Sequence, residues 1–216
     1  MQIFFETIAL TIGALLPIMN PFSTAPLFVS LTASLDRKNQ RHQALMGCIY
    51  AFGILVVFLL LGGVIIDFFG ISVAGIRVAG GLIISRIGFR MLFPDPQTID
   101  HASTQMQQQE LDIAFTPIAM PSLAGPGSIS VVLSAAAHIK SIRPADWGLI
   151  YIAVIVGMAL TLVISFLVLW MASSMVRFLG ARGIDAMTRI FGFLLICIGM
   201  QFLLTGIEDF FGILEG

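Results

Sequence analysis

Charged residues are scarce in this chain. Only 11% of its 216 residues are Asp, Glu, Lys or Arg, whereas an ordinary soluble domain carries roughly 25%. Hydrophobic residues make up 58%, and the mean hydropathy is +1.01. A soluble domain of this length cannot bury so much apolar surface. The composition therefore excludes a soluble globular protein and predicts an integral membrane protein.

The chain also lacks the side-chain groupings that catalysis and metal binding need. Its histidines, His42, His101 and His138, are scattered without the spacing of metal ligands, and there is no nucleophile–base arrangement and no phosphate-binding loop. We therefore expect no enzyme activity, no metal and no cofactor. No basic patch is large enough to indicate a nucleic-acid partner. The two cysteines, Cys48 and Cys197, lie in apolar segments and are expected to be reduced thiols.

Long apolar segments dominate what is present. A helix needs about 20 apolar residues to cross the hydrocarbon core, and six segments of the chain reach or approach that length. They are residues 8–35, 44–66, 71–93, 113–137, 148–176 and 190–207. We predict an all-α membrane protein of six transmembrane helices in a single transmembrane domain, residues 1–216.

The distribution of basic residues predicts the orientation, because cytoplasmic loops carry an excess of Lys and Arg. Eight of these residues fall on one side of the predicted spans and three on the other. The larger set is Arg37, Lys38, Arg41, Arg86, Arg90, Arg177, Arg182 and Arg189; the smaller is Arg77, Lys140 and Arg143. We predict that the first side is cytoplasmic and that the protein lies in the inner cell membrane with both termini outside the cytoplasm.

An internal repeat relates the two halves. The prolines at positions 17, 21 and 26 recur at 117, 121 and 126, and the glycines at 81 and 88 recur at 192 and 199. Repeat 1 covers about 1–94, a polar loop about 95–112, and repeat 2 about 113–216. Each copy holds three spans, an odd number, so the second copy must be inverted relative to the first. Inverted repeats around broken helices are a transporter architecture.

The prolines predict breaks in the first and fourth helices. Asn20 before Pro21 has the pattern of an N-cap followed by proline at the first helical position, and Gly125-Pro126 supplies a similar restart. A restarted helix presents free N–H groups that can hold a carboxylate. The alternative is two ordinary proline-kinked helices. The candidate substrate-binding residues are Asn20, Pro21, Ser23, Thr24, Gly125, Pro126, Gly127 and Ser128.

Two arginines in the third span have two interpretations. Arg86 and Arg90 lie four residues apart, on one helical face. They are candidates for a cytoplasmic gate, or they extend to the membrane interface near the helix end. No acidic residue lies clearly at mid-membrane, so the sequence shows no proton relay. The coupling ion, sodium or proton, stays open.

The two proline motifs resemble those of the MarC family of bacterial and archaeal membrane proteins. Residues 20–28 read NPFSTAPLF, and residues 117–121 and 124–130 read PIAMP and AGPGSIS. Ser23 stands where the family usually has glycine. The resemblance implies a six-span protein with both termini outside.

Some members of that family, called SnatA, resemble transporters of glycine, alanine, serine and threonine. The resemblance therefore implies a secondary transporter of small neutral amino acids by alternating access. The alternatives are a passive channel for small solutes and a non-transporting membrane partner protein. The implied partners are membrane lipid and a small zwitterionic solute; the oligomeric state stays open.

Overall fold

The computed structural model describes residues 2–93, 119, 123–142 and 147–212. Within these ranges the regular structure is entirely helical, which confirms the predicted all-α class. The helices are α1 (Gln2–Met19), α2 (Pro21–Leu31), α3 (Arg37–Phe69), α4 (Val73–Leu92), α5 (Pro126–Ile142), α6 (Trp147–Trp170) and α7 (Ala172–Phe211).

Four of the described helical segments are long and apolar enough to cross a membrane. They are Gln2–Met19, Arg37–Phe69, Trp147–Trp170 and Arg182–Phe211. Two further segments, Pro21–Leu31 and Pro126–Ala137, are apolar but shorter. The chain is therefore a multi-pass membrane protein, and the count of six spans remains a prediction.

The fifth and sixth predicted segments differ from the observed helices. The segment predicted over 148–176 ends as α6 at Trp170, and the chain turns at Met171 into α7. Helix α7 is itself interrupted at Gly180, whose φ of 63° lies in the region that glycine adopts without strain. Composition did not reveal the turn at Met171, because residues 172–176 carry no charge and continue the uncharged segment; Gly180 lies between the predicted fifth and sixth segments.

Helices α4 and α7 cross antiparallel with their backbones in contact. A Cβ atom added to Gly81 would lie 2.6 Å from the carbonyl oxygen of Gly199, and one added to Gly88 would lie 2.6 Å from that of Gly192. Distances this short leave no room for a side chain. Small residues allow such close approach in membrane bundles, where lipid offers no hydrophobic drive for helix association.

The other helices pack around this pair in two similar groups. Helix α2 packs against α6 and α7, while α5 packs against α3 and α4. Helix α3 also contacts α6, and α1 lies mainly against α6. The buried core includes Leu15, Leu55, Ile84, Met158 and Leu195, so side chains from both halves fill one interior.

Replacing Gly81 by alanine should weaken the α4–α7 crossing. The new methyl group would meet the backbone of Gly199, which cannot move without separating the helices, and overpacking of this kind costs about 1–3 kcal/mol. Thermal unfolding of the purified protein in detergent measures the loss.

Gly53→Ala is the matched control, because nothing lies within 4 Å of the added atom in helix α3. Its stability should be unchanged or raised by up to about 1 kcal/mol, since alanine favours the helix. Equal melting temperatures for the two variants would contradict the backbone contact.

Candidate functional site

The first predicted break is present at Asn20. Helix α1 ends at Met19 and α2 begins at Pro21, while Asn20 between them adopts φ 37° and ψ 67°, the left-handed conformation. Asparagine tolerates this conformation better than most residues. Its side-chain oxygen accepts a hydrogen bond of 3.3 Å from the Ser23 amide. The predicted cap, with proline at the first helical position, is confirmed.

The backbone carbonyl of Asn20 is the main acceptor at this break. It receives the amide N–H groups of Ser23 and Thr24 and also their hydroxyls, at 3.2 and 3.3 Å. Asn20 and Thr24 are buried, at 3% and 6% exposure. The two hydroxyls therefore satisfy the local backbone in a place that water does not reach freely.

The carboxamide nitrogen of Asn20 has a weaker partner. It donates to the sulfur of Met91, 3.6 Å away on helix α4. A thioether is a poor hydrogen-bond acceptor. An oxygen anion at this point would accept the same proton more strongly, because charge-assisted bonds are roughly twice as strong as neutral ones. This donor is the feature of the site best suited to a ligand carboxylate.

The second predicted restart lies at Gly125. Helix α5 begins at Pro126, and the carbonyl of Gly125 accepts from the amide of Ile129 at 3.0 Å. The Ser128 hydroxyl is buried and donates to the carbonyl of Leu123 at 3.0 Å. Ser128 is thus occupied with its own backbone, as Ser23 is in α2. Before this restart the described residues are 119 and 123–125, and the amide of Ala124 donates to the carbonyl of Ala119 at 2.8 Å.

The proline match needs a correction of register. Pro26, which the offset of 100 pairs with Pro126, lies inside helix α2. Pro21 and Pro126 instead begin their helices, and Ser23 and Ser128 each follow two residues later. A starting proline needs no amide donor, so it fits a restart, whereas Pro26 costs α2 a hydrogen bond. Pro117 and Pro121 lie outside the described residues.

Helix α4 joins the two breaks. A Cβ atom on Gly127 would lie 3.1 Å from Ile18, two residues before Asn20, and 3.3 and 3.8 Å from Ile84 and Ile87 of α4. Met91, one turn beyond Ile87, contacts Asn20. These α4 residues share one helical face. The structure therefore brings Asn20 and Gly127 to one face of α4; Pro21 is buried beside them and Pro126 is exposed.

Arg86 and Arg90 lie elsewhere. Both are exposed, on the side of α4 opposite Ile84 and Met91. This position favours the membrane-interface interpretation over the gate. Two other arginines hold the α4–α7 crossing at its ends. Arg77 pairs with Asp209 of α7, while Arg189 pairs with Asp185 and donates to the carbonyl of Leu92 at the end of α4.

Sequence reasoning missed three contributors to these sites. Met91 is an ordinary apolar residue in the sequence, and only the fold places its sulfur at the Asn20 amide. Phe22 stacks on Phe191 of α7, with ring centroids 5.2 Å apart, and so attaches the first turn of α2 to that helix. No local sequence pattern predicts the Asn20–Met91 or the Phe22–Phe191 contact, because the two residues of each pair lie far apart in the chain. In the described part of the chain, no group of His, Cys, Asp and Glu forms a metal site.

Apolar helices of spanning length, around a helix break whose polar groups are internally bonded, define a multi-pass membrane protein. Residues 5–211 match the MarC family integral membrane protein, and the chain belongs to this family. It is similar to the inner membrane protein MarC of Escherichia coli (strain K12) and of Shigella flexneri. Each is 40% identical to it over 216 residues, covering 95% of this chain and 96% of the relative. No solved structure matches the chain significantly.

Variants at Asn20 should distinguish the stability contributed by its side-chain cap from the stability cost of its left-handed backbone conformation. Asn20→Ala loses the cap and places a Cβ residue in the left-handed region, so the free energy of unfolding should fall by about 1–3 kcal/mol. Asn20→Gly loses only the side chain and should cost a few tenths of a kcal/mol, about the difference between glycine and asparagine caps. Thermal unfolding in detergent gives the order; an alanine variant as stable as the glycine variant would mean that Asn20 is not left-handed.

Proposed function

We propose that this protein is a secondary transporter of small neutral amino acids, of the glycine, alanine, serine and threonine class. It would work by alternating access, as two inverted three-helix repeats with broken first and fourth helices. The observation that carries the proposal is the buried break at Asn20, beside the restart before Gly127; among the described residues, the carboxamide nitrogen of Asn20 donates to the thioether of Met91. Membership of the MarC family supports a membrane function without naming a solute.

The glycine contacts support the inverted repeat. An offset of 111 carries Gly81 to Gly192 and Gly88 to Gly199. If a two-fold axis relates the copies, the contact of Gly81 with Gly199 requires one between Gly192 and Gly88. Both contacts are present. Glycines spaced seven residues apart on two antiparallel helices give both contacts, so the pattern is compatible with the two-fold axis of an inverted repeat.

Burial repeats along the second and fifth spans in the same way. Six buried residues of α3 have buried counterparts in α6 at an offset of 110. They are Ala44, Gly47, Cys48, Ala51, Leu55 and Leu59, matched by Val154, Gly157, Met158, Thr161, Ser165 and Leu169. The packing of α2 on α6 and α7 likewise mirrors that of α5 on α3 and α4. These matches support a shared three-helix unit.

The chemistry of the breaks suits a small zwitterion. A buried carboxylate needs donors, and a buried ammonium needs acceptors, since either charge alone is costly in a medium of low dielectric. Asn20 offers an amide donor, and the first turns of α2 and α5 offer the positive ends of two helices. An added Cβ on Gly127 would already lie 3.1 Å from Ile18, so the proposed binding of even a small solute here requires the helices to move apart. We propose no enzymatic step at this site, and sodium or proton coupling stays open.

Uptake into proteoliposomes tests the proposal. Radiolabelled glycine, alanine, serine and threonine are presented with and without sodium and proton gradients. Saturable uptake, with accelerated exchange when unlabelled solute is inside, is expected for alternating access. Linear uptake without exchange would indicate a passive channel. Absence of uptake for every solute would favour the alternative that the protein is a non-transporting membrane partner.

Site variants should change the apparent affinity. Ser23→Ala and Asn20→Gly each remove one polar group at the break, so KM should rise about 2- to 10-fold, the worth of one neutral hydrogen bond. Ser30→Ala is the matched control, because this exposed serine of α2 makes a similar bond to Leu27, away from the break. If all three variants transport with wild-type KM, the solute binds elsewhere.

Cysteine labelling tests the orientation. Helix α3 has 33 residues, about 50 Å, so its two ends lie on opposite faces of the membrane. In a background with Cys48 and Cys197 replaced by alanine, Asn39→Cys should react with an impermeant maleimide only after cells are opened. Ile71→Cys should react in intact cells. The reverse pattern would overturn the predicted placement of the termini.

A further inference from the structure

An arginine-lined pocket lies at the end of the bundle where α2 leads into α3 and α6 into α7. Its volume is about 210 Å³. Arg37 and Arg41 of α3 and Arg177 of α7 line it, with the hydroxyl-bearing Ser173 and Ser174. The site around Asn20 uses none of these residues. Three positive side chains therefore share one small space that the proposed transport path does not explain.

The charges in the pocket are not balanced by its walls. Among the described residues, no acidic side chain lines it and the ion pairs involve none of its three arginines. The neighbouring acid, Asp36, uses its carboxylate to cap α3 through the amide of Asn39. The three exposed guanidinium groups line one pocket and repel one another as far as solvent does not screen them, and an anion between them would offset that repulsion.

Two contacts hold the pocket in shape. The guanidinium of Arg41 lies over the ring of Trp170, 5.0 Å from its centroid, which fixes the arginine by a cation–π contact. The side-chain amide of Gln40 donates to the carbonyls of Thr32 and Leu35, at 2.8 and 3.2 Å, and ties down the connection before α3. The arginines thus extend from an ordered wall.

The surroundings of the pocket are those of a membrane interface. Phe28 and Leu169 line the pocket and are buried, whereas Met171, which also lines it, is 60% exposed; Phe178, which follows Arg177 in the chain, is 90% exposed. Tryptophan, as at position 170, is typical of the boundary between hydrocarbon and headgroups. A lipid bound here would place its phosphate on the arginines and its acyl chains against the exposed apolar side chains.

We propose that this pocket binds the phosphate group of an anionic phospholipid. Arginine suits this ligand because its planar guanidinium donates two parallel hydrogen bonds to phosphate oxygens. Basic pockets between the ends of transmembrane helices are a known form of headgroup site. The exposed apolar residues beside the pocket favour a lipid over free phosphate, which shares the same headgroup chemistry.

Fluorescence of Trp170 tests the proposal. The chain has two tryptophans, and Trp147→Phe leaves Trp170 as the reporter. The purified protein in detergent at physiological salt is titrated with phosphatidylglycerol or with phosphatidylcholine, both with brominated acyl chains that quench a nearby tryptophan. Quenching should saturate at a phosphatidylglycerol concentration about ten-fold below that for phosphatidylcholine.

Paired variants separate a site from diffuse charge. Arg37→Gln with Arg177→Gln should abolish the preference for phosphatidylglycerol. Lys38→Gln with Arg182→Gln removes the same charge from the same two helices, outside the pocket. This pair should retain most of the preference for phosphatidylglycerol. Equal losses in the two pairs would mean diffuse surface attraction and overturn the site.

Inorganic phosphate distinguishes the two sources of the ligand. Displacement of phosphatidylglycerol only at high phosphate concentration, well above that of the lipid, supports the lipid site. If phosphate alone changes the Trp170 emission at low concentration and the two lipids quench equally, the lipid assignment is wrong. Circular dichroism and size-exclusion profiles confirm that each variant is folded. None of these outcomes depends on transport.

Discussion

Two contacts between glycine backbones hold α4 and α7 together, and the remaining helices are arranged around that crossing. In lipid, apolar side chains gain nothing by leaving one hydrocarbon for another, so close packing and polar contacts must hold helices together. The crossing supplies the packing through Gly81 and Gly199, and through Gly88 and Gly192. Its geometry also directs Ile84, Ile87 and Met91 towards the two breaks.

A second constraint acts where helices break. Backbone groups freed inside a membrane must find partners within the protein. At Asn20 the chain meets this need with its own hydroxyls, because the carbonyl accepts from Ser23 and Thr24. The break is therefore stable without a ligand. The same arrangement leaves the side-chain amide of Asn20 donating to the sulfur of Met91. A carboxylate in place of that sulfur would accept a stronger hydrogen bond.

The predictable features are the local ones. The Asn20 cap and the proline after it depend on adjacent residues, so the pattern of residues 20–23 was sufficient to predict them. The glycine pairs indicated a repeat, but their partners could not be named, since contact between α4 and α7 joins residues more than a hundred positions apart. The turn at Met171 lies in uncharged sequence without proline, so no local signal marked it, whereas the interruption at Gly180 lies between Arg177 and Arg182, outside the predicted spans. The arginine pocket combines residues from four helices, so the sequence did not reveal it either.

The crossing limits how such a protein can move. Backbone contacts at Gly81 and Gly88 leave no gap through which α4 could slide along α7, because any shift brings a side chain against a carbonyl already in contact. Arg77 and Arg189 fasten the two ends of the pair. A change of access would therefore carry α4 and α7 as one body. The first turns of the short helices α2 and α5 are attached to this body, because Phe22 stacks on Phe191 of α7 and Gly127 packs against Ile84 of α4. If the proposed transport occurs, a solute bound near Asn20 and Gly127 would contact both this body and the helices that begin at the breaks, and it would favour the arrangement that it binds more tightly.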